Sequence, residues 1–256
     1  MMDIVLIGAG NLATNLGKAL RGVEHRIMQV YSRTETSAKA LADVLQCAYT
    51  NTLEEVSQQA DIYIIAVKDT ALSEVAGRLQ KGREERLFVH TAGSMPMDAI
   101  PSVRRGVFYP MQTFSKQQEV DFKVIPCFVE ANSDSDLSLL KELAYSVSDV
   151  VYELNTENRK YLHLAAVFCC NFANHCFRHG ERLLEEHGQI PFSVMLPLID
   201  ETARKLHLLS PREAQTGPAV RWDTNVMDKH LQLLSDTPDR QKIYELLSKS
   251  IHDDQL

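Results

Sequence analysis

The chain has 256 residues, 45% of them apolar, with 27 basic against 34 acidic side chains and a formal net charge of −7. That length can bury a core without staples, and the acidic balance, with no basic stripe, argues against a nucleic-acid partner. No apolar run has the length of a membrane span or a signal peptide, and five cysteines without a C-x-x-C pair read as reduced thiols of a cytoplasmic protein.

Residues 3–7 are a near-continuous apolar run, the pattern of a strand covered on both faces. They lead into Gly8-Ala9-Gly10-Asn11-Leu12-Ala13. In this G-x-G-x-x-A pattern Gly8 suits a tight turn and Gly10 lets backbone approach a pyrophosphate. Ala13, with Gly17 one turn on, lets the next helix lie close to the strand. That helix, predicted over 11–21, offers free N–H groups to an anion. Gly8, Gly10, Asn11, Leu12 and Ala13 are therefore candidate cofactor contacts.

Strands are predicted at 26–31, 47–49, 61–67, 87–90, 107–109, 125–129 and 150–152. Between them lie helices at 35–45, 53–58, 72–79 and 134–145. Such alternation means an α/β fold with a mostly parallel sheet. Beyond residue 155 the strand-like runs stop. A long helix is predicted over 158–187, apolar on several sides as a central buried helix would be. Pro191, Pro211, Pro218 and Pro238 then restart helices running to 208, 215, 234 and 251, since proline is a normal first helical residue. The expected division is a dinucleotide-binding domain over 1–154 and an all-helical domain for substrate binding and dimerisation over 155–256.

The second strand ends in Tyr31-Ser32-Arg33-Thr34. An NAD site usually places an acid here for the ribose 2′-hydroxyl. An arginine between two hydroxyls suits a 2′-phosphate instead. NADP is the expected cofactor, with Ser32, Arg33 and Thr34 at its phosphate.

The chain resembles a Rossmann-type family of deazaflavin-coenzyme-dependent-like NADP oxidoreductases whose helical C-terminal domain has no assigned function. The resemblance rests on GAGNLA (8–13), SRT (32–34), AVKD (66–69), HTAGS (90–94) and YPMQTF (109–114), and continues through HLAAVFCCNFANH (163–175), LPLIDET (196–202) and QTGPAVRWD (215–223). More distantly the chain is similar to pyrroline-5-carboxylate reductase, ketopantoate reductase and the β-hydroxyacid dehydrogenases. The resemblance implies a fold, a cofactor, a reaction type and a dimer formed by the helical domain, but no substrate. The β-hydroxyacid enzymes carry a catalytic lysine four residues before an asparagine. Here Asn171 follows Val167 and Lys160 precedes Leu164 by four, so that mechanism does not transfer.

Open α/β sheets bind ligands past the carboxyl ends of their strands. Val67 and Lys68 are expected along the cofactor ribose, with Thr91 and Ala92 further in and Asp69 as the cap of the next helix. His90, Tyr109 and His163 are the candidate proton donors; for His90 the competing reading is a hydrogen-bonded structural histidine. Asn171 shares a helix face with His163, and Arg221 follows the Gly217-Pro218 helix start that itself favours anions. His90 and Ser94 would floor a substrate cleft, with Asn171 its far wall and Arg221 the seat of an acidic group; the competing account makes all four structural. His175 and His179 have metal-ligand spacing but no third ligand, so no metal is expected. The expected function is NADP-dependent hydride transfer to or from a small, acidic C=O or C=N compound, with a homodimer as the working form. The alternative is a non-catalytic NADP-binding sensor or interaction protein, because no acid–base pair is unmistakable.

Overall fold

The computed structural model describes residues 1–255. It divides into two compact units, Met1–Cys170 and Asn171–Leu256. In the first, strands β1 (Asp3–Ile7), β2 (Arg26–Tyr31), β3 (Ala48–Thr50), β4 (Ile62–Ile65), β5 (Leu87–His90), β6 (Arg105–Pro110), β7 (Cys127–Ala131) and β8 (Val151–Glu153) form one sheet. Its order is β3-β2-β1-β4-β5-β6-β7-β8, parallel except where β7 runs against β6.

Side chains alternate across a strand, and here both faces are covered. Ile4, Leu6, Ile62, Ile64 and Val89 pack on one side under α1 (Asn11–Arg21), α2 (Glu35–Leu45) and α4 (Asp134–Val147). Val5, Ile7, Tyr63, Ile65 and Phe88 pack on the other under α3 (Asp69–Leu79). A glycine is needed at position 8, where φ is +122° and a Cβ would run into the Ala66 carbonyl oxygen. At Gly17 a Cβ would press on Leu6 and Leu45 at 2.9 and 2.8 Å, the close helix approach read from the sequence.

The last helix of this unit, α5 (Thr156–Ala166), begins after the Asn155 side chain accepts from the Asn158 N–H at 2.9 Å. The expected boundary at 154 separated this helix from the sheet. Instead Leu162 packs against Val107, Tyr109 and Phe128, which holds α5 in the first unit.

The remaining helices are α6 (Ala173–His187), α7 (Leu196–Lys205), α8 (Pro211–Ala214), α9 (Thr224–Leu233) and α10 (Pro238–Gln255). Between α5 and α6, Val167–Phe172 is π-helical, a form that often marks functional stretches. The predicted long helix therefore carries a π-helical stretch rather than a break, and it is not buried within this chain: Phe168 is 61% and Phe177 38% exposed. The helix expected over 218–234 is broken. A three-residue 3-10 turn, Ala219–Arg221, ends at Trp222 in the left-handed region, and Asp223 then caps α9 by accepting from Val226. The Asp223 cap is the physical reason for the restart. His230 Nδ1 and the Tyr244 hydroxyl, 2.9 Å apart, tie α9 to α10, and Arg240 grips the Glu186 carboxylate with two bonds of 2.9 and 3.1 Å.

Candidate active site

The turn after β1 and the ends of β2 and β4 enclose a cavity of about 400 Å³. Of the residues expected at the cofactor, Gly8, Gly10, Ser32, Arg33, Thr34, Val67 and Lys68 line it, joined by Ser37 and Thr70, which sequence reasoning did not single out. The space that a Gly10 side chain would fill is empty. Gly10 also opens α1 without a side-chain cap, and the first turn carries no acid, so its N–H groups keep their pull on an anion. Thr34 precedes α2 without capping it and instead donates its hydroxyl to Ser37 Oγ at 2.8 Å. Two hydroxyls thus stand beside Arg33.

Other expected contacts serve the frame. Asn11 Nδ2 donates to the Phe114 carbonyl at 2.9 Å and Asn15 Nδ2 to that of Ser115 at 2.9 Å, pinning the loop after β6 onto α1. Leu12 and Ala13 turn their side chains into the core, which leaves only their backbone for a ligand. Asp69 is the first residue of α3 rather than its cap. Its carboxylate accepts from Ser94 Oγ at 2.5 Å, joining the loops after β4 and β5.

His90, at the end of β5, is fully buried. Its Nδ1 accepts from the Ala92 N–H at 3.1 Å and its Nε2 lies 3.2 Å from the Pro96 carbonyl. A carbonyl only accepts, so the ring is the neutral Nε2–H tautomer. Burial and the Arg159 charge push its pKa down to about 4. With both nitrogens engaged by backbone, this geometry suits the structural reading of His90. Thr91 is also buried, its N–H donating to Ile65 at 3.2 Å.

Tyr109 and His163 come together. The phenol oxygen lies 3.1 Å from His163 Nδ1, with the rings edge to face. Tyr109 is 8% exposed, and burial raises its pKa, so the phenol keeps its proton at neutral pH. A Cβ on Gly93 would fall 2.6 Å from His163 Nδ1 and 2.8 Å from Tyr109 Cζ, so the pair closes only because residue 93 is glycine. Sequence reasoning read Gly93 only as a backbone donor and missed this steric role. It also missed Arg159, which is 1% exposed and paired with Glu130, although Arg159 stands four residues before His163 on one helix face.

Asn171 and Arg221 belong to the helical unit and are exposed there. In that unit His175 and His179 face each other, Nε2 to Nε2 at 3.1 Å. Among the described residues no group of three metal-ligating side chains assembles, and no helix is long and apolar enough to cross a membrane.

A sequence family described as NADP oxidoreductase, coenzyme F420-dependent, matches residues 3–93, and a domain of unknown function, DUF2520, matches residues 125–251. A Bacteroides fragilis protein provisionally assigned as an NADP oxidoreductase is 56% identical over 98% of both chains, with a TM-score of 0.94. The pyrroline carboxylate reductase of Plasmodium falciparum, solved with NADP bound, is 11% identical and matches 98% of both chains with a TM-score of 0.61. An imine reductase of Myxococcus stipitatus in complex with NADP+ is 14% identical, matching 98% of this chain and 92% of its own with a TM-score of 0.63. At those identities the last two share the fold. A search of curated protein sequences gives no match.

Proposed function

The chain belongs to the NADP oxidoreductase family in which a Rossmann-like domain of the coenzyme F420-dependent type is joined to a DUF2520 domain, and on that premise we propose that it moves a hydride between NADP(H) and a small C=O or C=N compound bearing an acidic group. The observation that carries the reading is the Tyr109–His163 hydrogen bond, set at the carboxyl end of β6 in the same unit as the dinucleotide cradle. The open side of Gly10 and the uncapped first turn of α1 fit a pyrophosphate. Arg33, Ser32 and Thr34 hold the 2′-phosphate, and Val67 and Lys68 lie along the ribose. Bound there, the nicotinamide supplies the hydride.

The chain's own part is the proton. Tyr109, kept protonated by burial, gives its phenol proton to the substrate oxygen or nitrogen as the neighbouring carbon takes the hydride. His163 Nδ1–H donates to the phenol oxygen and stabilises the phenolate that forms; it then returns its Nδ1 proton as Nε2 takes one up from solvent, so the ring stays neutral.

The helical unit supports a homodimer as the working form. Among its described apolar side chains only Ala219, Met227 and Leu234 are buried, while Leu198, Leu208, Leu233 and Leu246 are 60–76% exposed. A second copy of the chain would cover such side chains. Five free cysteines suit the reducing cytoplasm.

The test is the decay of NADPH absorbance against a panel of 2-oxo acids and cyclic imines, with wild type and Tyr109→Phe side by side. The proposal expects a substrate that wild type consumes and the variant barely does. Tight NADPH binding with no turnover across the panel favours the sensor reading instead.

A further inference from the structure

Arg159 and Glu130 form an ion pair in a place where apolar side chains would serve stability as well or better, because desolvating two charges offsets much of their attraction. The arginine is 1% exposed and the glutamate 15%. Arg159 Nε is buried without any hydrogen-bond partner. A buried unsatisfied donor in a native protein needs a reason.

The contacts supply one. From β7, Glu130 accepts from Arg159, from the Thr156 N–H at 2.9 Å and from the Thr156 hydroxyl at 2.9 Å. Arg159 Nη2 also donates to the Met95 carbonyl at 2.7 Å and to Thr156 Oγ1 at 3.2 Å. The same hydroxyl oxygen accepts from the Met97 N–H at 3.1 Å. One ion pair therefore fastens two things to β7: the first turn of α5, and the far end of the loop that carries Gly93. His90 fastens the rest of that loop through Ala92 and Pro96. Four residues on from Arg159, on the same helix face, stands His163, whose Nδ1 must meet the Tyr109 phenol under Gly93.

We propose that Arg159, locked by Glu130 and Thr156, is a positioning residue that sets the phase of α5 and the Gly93 loop together, and thereby selects the hydrogen-bonding state of His163 toward Tyr109. This rests on the reading of Tyr109 and His163 as the proton-delivering pair. Arg159 makes its hydrogen bonds to Glu130, Met95 and Thr156 and none to the phenol. Its fixed charge also opposes the effect of burial on the Tyr109 phenol, so the clamp orients the pair and eases formation of the phenolate.

The experiment reads His163 directly and needs no substrate. The tautomer of His163 is determined by nitrogen-15 NMR on the folded full chain, assigned with His163→Asn, in wild type, Arg159→Met, Arg159→Lys and Glu130→Gln, with melting temperatures measured alongside. A free histidine side chain prefers Nε2–H, so a single Nδ1–H form in wild type is a signature of selection. Arg159→Met and Glu130→Gln are expected to lose it to a mixture, and Arg159→Lys to keep more of it than Arg159→Met. Once a substrate is known, kcat should fall roughly tenfold or more in Arg159→Met while the KM for NADPH holds. A folded Arg159→Met with the wild-type tautomer, whatever its melting temperature, overturns the proposal. Should that variant fail to fold, Glu130→Gln or the milder Thr156→Val is read by the same criterion. The two readings separate: wild-type His163 on Nε2–H contradicts the proton path, while a change of tautomer on removing Arg159 still supports the clamp.

Discussion

The Tyr109 hydroxyl lies 3.1 Å from His163 Nδ1, joining the sheet to the first helix beyond it. If this pair delivers the proton, Tyr109→Phe removes the transferable hydrogen and little else, since the ring still fills its slot. The expected loss is roughly 10²- to 10⁴-fold in kcat, the usual worth of a positioned acid. The Kd for NADPH should stay within about threefold. A variant that turns over like wild type would remove Tyr109 from the chemistry.

Gly93 offers a steric test of the same pair. Its backbone does not require glycine, but its surroundings do: a methyl there would meet His163 Nδ1 at 2.6 Å and Tyr109 Cζ at 2.8 Å. Gly93→Ala should push the rings apart, at an overpacking cost of about 1–3 kcal/mol. Turnover should fall toward that of Tyr109→Phe. Because both act on one interaction, the double variant should be little worse than either single one; full additivity in a double-mutant cycle would show that Gly93 acts elsewhere.

His90 links the frame to pH. Folded, its pKa is held down to about 4 by burial and the Arg159 charge, against about 6.5 in an unfolded chain. Between those values the unfolded chain takes up a proton that the folded chain refuses. This contribution to stability is therefore complete above about pH 6.5, declines as pH falls and is gone below about pH 4, a span of about 3 kcal/mol. His90→Gln keeps a donor and an acceptor without the titration. Urea unfolding at about pH 7 and about pH 5 should show the variant losing less stability between the two than wild type. Parallel losses would mean that His90 is not the neutral, buried ring described.

The exposed leucines of the helical unit give the oligomer test. Sedimentation at micromolar concentration should find twice the mass of one chain. Leu198→Glu and Leu208→Glu together, both at exposed positions, should shift it toward the monomer without unfolding the Rossmann-like unit. A wild-type monomer at that concentration contradicts the dimer.

Much of the α/β unit could be read from the chain because its determinants are local. Asp3–Ile7, Asn11–Arg21, Arg26–Tyr31 and Glu35–Leu45 stand where the apolar runs and the glycine pattern put them. Elsewhere a local cue was present and outweighed. Asp223 caps α9, but Pro218 sixteen residues before Leu234 read as the start of a single helix. The long helix carries the apolar periodicity of a buried element although Phe168 and Phe177 are exposed within this chain. The pattern records a surface to be covered and does not say by what. Within the candidate site, the cavity lining was legible because Gly8 and Gly10 shape it through their own backbone. The Tyr109–His163 contact was not, nor the Arg159–Glu130 clamp beneath it: those pairs are 54 and 29 residues apart in the chain, and only the fold brings them together.

Arg33 tests the account most directly, because every proposed step depends on NADP(H) in the cradle. Arg33 lines the cavity beside Ser32, Thr34 and Ser37. Calorimetric titration of wild type and Arg33→Ala with NADPH and NADH compares four affinities under one set of conditions. Wild type should prefer NADPH. The variant should lose roughly 10- to 100-fold of its NADPH affinity, as expected for one charge-assisted phosphate contact, and almost none of its NADH affinity. Equal wild-type affinities for the two cofactors, or an Arg33→Ala variant that binds NADPH as wild type does, would contradict the proposed site.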